Sequence, residues 1–237
     1  MAETLRYTLK KPARLLFSSI TEKSAPRGVA NAEPKFSGTF GIEKEDFDEI
    51  VKLMVSAIKS ELGTFTKPDD YYLACMSAQT AINRAMRKAE LDAQGKPADE
   101  AFKLKERAEQ RAELYRPYAG ILTAASKFDV SLAKVEGGKI VDITQPHEIA
   151  QAGKDCFYPG AYVVPAIALK AFRRKSLDAK DGVTGFLQNV LFVRKGERIG
   201  GASVPNSSVF GGYAGYSDVD PTAMAPEGAP AEETSDF

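Results

Sequence analysis

The sequence predicts a mainly β fold: a small barrel of about five strands, a helical insertion at about 45–115, and a disordered acidic C-terminal tail. Three observations lead there. Apolar stretches with a period of two flank a block with helical periodicity. Strands and helices do not alternate regularly, which argues against a βαβ sheet. Residues 218–237 carry Asp218, Asp220, Glu227, Glu232, Glu233 and Asp236 but no Lys or Arg, and bury too little to offset chain entropy. The expected division is a folded domain at 1–212 and a flexible tail at 213–237.

Taken in order, "RLLFSSI" at 14–20 is short, apolar and preceded by Pro12, which suits a strand. "KFSGTFGIE" at 35–43 alternates, with Phe36, Gly38, Phe40 and Ile42 on one face and Lys35, Ser37, Thr39 and Gly41 on the other. Its two glycines predict a strongly bent strand. From Glu45, Phe47, Ile50, Val51, Met54, Ile58 and Leu62 recur at three and four residues, an amphipathic helix closed by Gly63. Two more helices are expected at 71–93 and 98–115, split at Gly95-Lys96-Pro97 and stopped by Pro117. The second is mostly charged with a thin apolar stripe, so it is expected at the periphery. Strands return at 118–128, 139–143, 160–174 and 186–196, with a turn at Gly137-Gly138. In the strand 160–174, Val163, Ile167, Leu169 and Ala171 face one side, and Tyr162, Lys170 and Phe172 the other.

Composition limits the function classes. Hydrophobic residues make up 43% and charged residues 27%, which is ordinary for a globular chain. The 32 basic and 32 acidic residues cancel overall, but six of the acids lie in 218–237, so residues 1–217 carry a net charge of +6. A basic body with an acidic tail points towards a polyanion partner. Cys75 and Cys156 read as reduced thiols in a cytoplasmic protein. No apolar run approaches the ~20 residues that cross a bilayer, so no membrane partner is expected.

Catalytic signatures are missing. His147 is the one histidine and has no nucleophile at a telling spacing, so it reads as a surface loop residue. Neither a phosphate-binding GxxxxGK[ST] loop nor a GxGxxG turn occurs, and the pairs Glu45-Asp46 and Asp69-Asp70 fit helix-dipole or loop roles. No enzyme activity, cofactor or metal is expected. Aromatic residues beside bases do recur: Lys35-Phe36, Tyr115-Arg116, Phe172-Arg173-Arg174, and Phe192 ahead of Arg194-Lys195. Single-stranded nucleic acid suits this pairing, because rings stack on unpaired bases while Lys and Arg follow phosphates. Phe40, Phe186 and Phe192 stay open between core and ligand.

Three segments, "FSSITEKSAP…KFSGTFGIEKEDF", "FYPGAYVVPAIALKAF" and "GVTGFLQNVLFVRKGERIGG", together resemble a family of tailed-bacteriophage single-stranded DNA-binding proteins with an OB-fold core. The resemblance spans about Leu16 to Gly201 and implies a five-stranded OB barrel and a role in replication or recombination. It also implies a DNA groove, for which the candidates are Phe17, Lys35, Phe36, Tyr158, Tyr162, Lys170, Phe172, Arg173, Arg174, Arg194 and Lys195. For the tail it implies a polyanion mimic that also docks replication proteins, through Glu232, Glu233, Asp236 and Phe237. The expected partners are thus single-stranded DNA, weakly double-stranded DNA, and replication proteins. An RNA chaperone and a scaffold that binds no nucleic acid are the alternatives.

Overall fold

A computed structural model describes residues 4–25, 32–174 and 180–199. The chain divides into two units, 1–200 and 201–237. The second unit, with the tail residues Glu232, Glu233, Asp236 and Phe237, lies outside the described residues, as does the expected boundary at 212/213.

The first unit starts with β1 (Leu5–Thr8), β2 (Ala13–Ser24) and β3 (Lys35–Ile42), followed by α1 (Lys44–Leu62). A single 3₁₀ turn at Pro68–Asp70 leads to two very short strands, β4 (Tyr72–Leu73) and β5 (Cys75–Ser77). The helical hairpin α2 (Ala78–Ala93) and α3 (Ala98–Tyr115) comes next, then β6 (Gly120–Ser126), β7 (Ser131–Glu136) and β8 (Lys139–Ile143). After α4 (Pro146–Asp155) the long strands β9 (Tyr162–Phe172) and β10 (Gly182–Arg194) complete the unit. Helix and strand contribute about equally, so the chain is a mixed sheet with helices where the sequence predicted mainly β.

The strands form one ten-stranded sheet in which β9, β2, β3, β6 and β10 pair in succession and β10 pairs back to β9. β1 adds to β9, β4 to β10, β5 to β6, and the β7–β8 hairpin to β10. Within this circuit Leu15, Phe40, Leu122, Ile167, Leu169 and Val183 are fully buried, with Ile50, Met54 and Ile58 of α1 packed against them. Burying each such side chain stabilises the fold by about 1.5–3 kcal/mol.

Adjacent Leu15 and Leu16 are both buried, although a period of two sends them to opposite faces. The pairing of β2 with β3 shifts between Leu15 and Phe17. Leu15 joins the main core, whereas Leu16 joins Ile121, Ala78, Ala81 and Tyr115 in a second cluster. The α2–α3 hairpin therefore covers part of the outer sheet face. α3 buries only Ala108, Ala112 and Tyr115, the thin stripe expected of a peripheral helix.

Two further expectations need correction. The helix predicted from residue 71 starts at Ala78, where the Ser77 side chain accepts from the Thr80 amide. Ahead of that cap, Tyr72 and Cys75 are claimed by strand pairing with β10 and β6, and tertiary pairing overrides helix propensity. His147 lies in α4 rather than in a loop, exposed, after a Gln145/Glu148 capping box with Pro146 in the first turn. Among the described residues no helix is long and apolar enough to cross a membrane.

Candidate nucleic-acid interface

Strand register assembles an outward face that the α2–α3 hairpin leaves open. Phe17 lies opposite Thr39, and Thr39 opposite Thr123, so the three share one face of β2, β3 and β6. Two residues further on, Ser19, Ser37, Ala125 and Phe186 continue that face onto β10. Along β10, Phe186 leads to Thr184, opposite Lys170, and to Gly182, opposite both Phe172 and Tyr72. Three large rings on this face are exposed: Phe17 at 38%, Phe186 at 42% and Tyr72 at 51%. At 4.8 Å between strands and 3.3 Å per residue, successive ring sites lie roughly 13–16 Å apart.

At one end the face opens into a cleft of about 810 Å³. Tyr72 and Phe172 stand there with ring centroids 6.3 Å apart and planes inclined by 52°. Arg84 and Arg87 reach in from α2, and Lys180 precedes β10. Among the described residues lining it, Asp69 is the acid; it pairs with Arg84 at 3.9 Å, and its carbonyl accepts from Lys180. Gly182 makes the arrangement possible, because a Cβ there would lie 2.2 Å from the Tyr72 carbonyl oxygen. At the other side of the face, Arg111 of α3 lies 5.3 Å above the Phe17 ring, which also meets Tyr115 at 6.5 Å with the two ring planes perpendicular. Exposed rings next to guanidinium groups can stack on unpaired bases while the cations meet phosphate.

The sequence-derived candidates fall into separate places. Lys170, Phe172, Arg173 and Arg174 gather near the cleft, where Arg173 donates to the Glu61 carbonyl at 2.9 Å and the Arg174 amide donates to Asp181 at 2.6 Å. Tyr162, Arg194 and Lys195 lie at the far end of β9 and β10, with Arg194 stacked 3.6 Å from the Tyr162 ring centroid. Phe36 shares the Phe40 side of β3, half-buried, with Lys23 5.2 Å above it; Lys35 is half-buried at the strand start. Tyr158 offers no stacking face. It is buried, its hydroxyl donates to the Gly196 carbonyl at 2.8 Å, and Arg198 covers its ring at 4.0 Å.

Of the three rings left open, Phe40 is fully buried, Phe192 is half-buried against Phe157, and Phe186 is exposed. The glycines of β3 answer to ring packing: a Cβ at Gly41 would meet the Tyr118 ring at 2.5 Å. Sequence reasoning missed Tyr72, Arg84, Arg87, Arg111 and Lys180. Tyr72 sits in a strand too short to show a period, and the helix residues carry no signal until the hairpin is placed on the sheet.

No protein-family profile matches the chain, and no curated protein sequence matches it. Solved structures do. The single-stranded DNA-binding protein of bacteriophage Enc34, solved in complex with ssDNA, superposes with a TM-score of 0.51 at 15% identity, over 83% of this chain and 89% of that one. A C-terminal truncation of the same phage protein gives a TM-score of 0.53 at 15% identity, over 83% and 88%. The structural match and the resemblance read from the sequence converge on phage single-stranded DNA-binding proteins, and this chain has the fold of the Enc34 protein.

Proposed function

We propose that the chain is a non-catalytic, sequence-independent single-stranded DNA-binding protein. One observation carries this reading: Phe17, Phe186 and Tyr72 are exposed on a single continuous sheet face, with Phe172, Arg84, Arg87, Lys170 and Arg111 beside them. Large exposed apolar groups on one face call for a partner, and a partner that presents both π-faces and anions satisfies rings and guanidiniums together. The closed pairing circuit is read as an OB-type barrel. The likeness to a protein solved with ssDNA bound supports the assignment.

In this reading the protein protects and organises single strands during phage DNA replication and recombination, in the host cytoplasm. The acidic tail competes with DNA for the basic body and recruits replication proteins through Glu232, Glu233, Asp236 and Phe237. Fluorescence anisotropy with labelled dT, rU and duplex oligonucleotides at two salt concentrations tests the assignment. Binding to dT whose log K falls with log salt at about −0.7 per phosphate contacted is expected. Tighter binding to rU would make the protein an RNA binder, and no binding at low salt would leave a scaffold.

A further inference from the structure

The cleft is at one end of β9, and a separate cationic cluster is at the other. Phe172 and Tyr162 close opposite ends of the strand, roughly 33 Å apart at 3.3 Å per residue. Around Tyr162 the Arg194 guanidinium lies 3.6 Å and the Arg14 guanidinium 5.8 Å from the ring centroid. At 3.6 Å Arg194 occupies the ring face that a base would need. Arg14 donates through Nη2 to the Glu197 carbonyl at 3.0 Å, while its Nε is buried with no hydrogen-bond partner. Among the described residues, no carboxylate pairs with Arg14 or Arg194, whereas Lys10, Lys11 and Lys44 are all paired with acids.

We propose that Arg14 and Arg194 form a binding site for a nucleic-acid phosphate, with Tyr162 as the positioning ring that holds them. The proposal rests on the single-stranded DNA reading and sharpens it: the strand stacks its bases at the Phe172 end and is held by its backbone at the Tyr162 end. The chemistry follows from the geometry. Among the described residues neither guanidinium has a carboxylate paired with it, and a phosphate oxygen is an acceptor that also neutralises the charge. Stacking on an aromatic ring fixes a guanidinium plane while leaving its edge free for a forked contact to phosphate. The two sites are separated by about ten phosphates at a spacing of 3.4 Å, and by fewer in a stretched strand.

The test compares dT with an abasic oligonucleotide of equal length, which has the phosphates but no bases. Binding of the full chain is measured by anisotropy across a salt series. Arg194→Gln should reduce the slope of log K against log salt by about 0.7, and by the same amount for both ligands. Tyr162→Ala should lower affinity for both ligands, and Tyr162→Phe should restore it, because the ring alone positions the guanidiniums. Phe172→Ala should affect dT alone, and Lys44→Gln, whose charge is spent on Asp48, should leave the slope unchanged. Circular dichroism melts check that each variant is folded. An unchanged slope in Arg194→Gln, or a Tyr162→Ala loss confined to dT, overturns the phosphate site while the DNA reading stands. A wild-type protein that binds neither ligand overturns both.

Discussion

The Tyr7 hydroxyl donates to Asp46 Oδ1 at 2.7 Å, tying β1 to the first turn of α1 across 39 residues of sequence. Asp46 is the one acidic residue fully buried among the described residues, at 1% exposure, and it also accepts the backbone amides of Lys10 at 2.9 Å and Lys11 at 3.3 Å. A buried carboxylate is tolerated because three donors converge on it at a helix N-terminus. Without it the segment before β2 loses its anchor, and β1 its hold on the open edge of β9.

Asp46→Ala should therefore cost about 1.5–3 kcal/mol, since it strands donors that were bonded to a charged acceptor. Thermal or urea unfolding measures this. The same contact predicts an alkaline signature. Burial, then the Asp46 and Glu49 carboxylates, push the Tyr7 hydroxyl pKa far above its usual value. In the unfolded chain Tyr7 ionises near pH 10, but in the fold it stays protonated. Its contribution is thus fully present below about pH 10 and is lost progressively above that, with the unfolded state releasing the proton first. Tyr7→Phe should make stability less dependent on pH in that window.

Phe186→Ala and Tyr72→Ala should each weaken ssDNA binding by about 1–3 kcal/mol, the range for a ring stacked on a base. Because both rings are exposed, their removal should change the melting temperature little. Phe40→Ala is the contrasting case: fully buried, it should cost about 3–5 kcal/mol of stability. Oligonucleotide titrations and melts on the same three proteins separate the two roles. Normal DNA affinity in both exposed-ring variants would move the interface elsewhere.

The elements that were legible in the sequence are those whose periodicity decides them locally. α1 and α3 were read within a residue of their observed bounds, because their apolar stripes and Gly63 or Pro117 stops lie in the chain itself. The odd-numbered side of β9 is buried, as its alternation predicts. What stayed illegible depends on partners distant in sequence. β4 exists because Tyr72 and Leu73 pair with Gly182 and Val183. Tyr158 is buried because it bonds Gly196, 38 residues on. Phe186 could not be placed until register put it beside Ala125 and Ala168.

Gly182→Ala offers a test that the fold positions the cleft. The added methyl would lie 2.2 Å from the Tyr72 carbonyl oxygen, too close for any real contact, so β4 must separate from β10 or β10 must move. Tyr72 would then lose its register with Phe172. DNA affinity should fall to the level of Tyr72→Ala, and stability should drop by about 1–3 kcal/mol, as overpacking typically costs. The double variant Gly182→Ala/Tyr72→Ala should bind no more weakly than either single one, because both act through the same ring. Additive losses in that cycle would show that the glycine matters for another reason.

Deleting residues 218–237 should raise affinity for single strands at low salt. The deletion removes six acids from a chain whose remaining residues carry a net +6. A random coil of 20 residues spans roughly 25 Å, and on the proposed reading the tethered acids compete with DNA phosphate for the same cations. Weak duplex binding should emerge in the truncated protein, because phosphate attraction does not depend on strandedness. The gain should shrink as salt rises and screens tail from body. Recruitment of replication proteins should be lost in the same protein. Phe237→Ala alone should impair that recruitment while leaving DNA affinity nearly unchanged, since the ring carries no charge. Equal DNA affinity of full-length and truncated chains at low salt would reduce the tail to a solubilising segment.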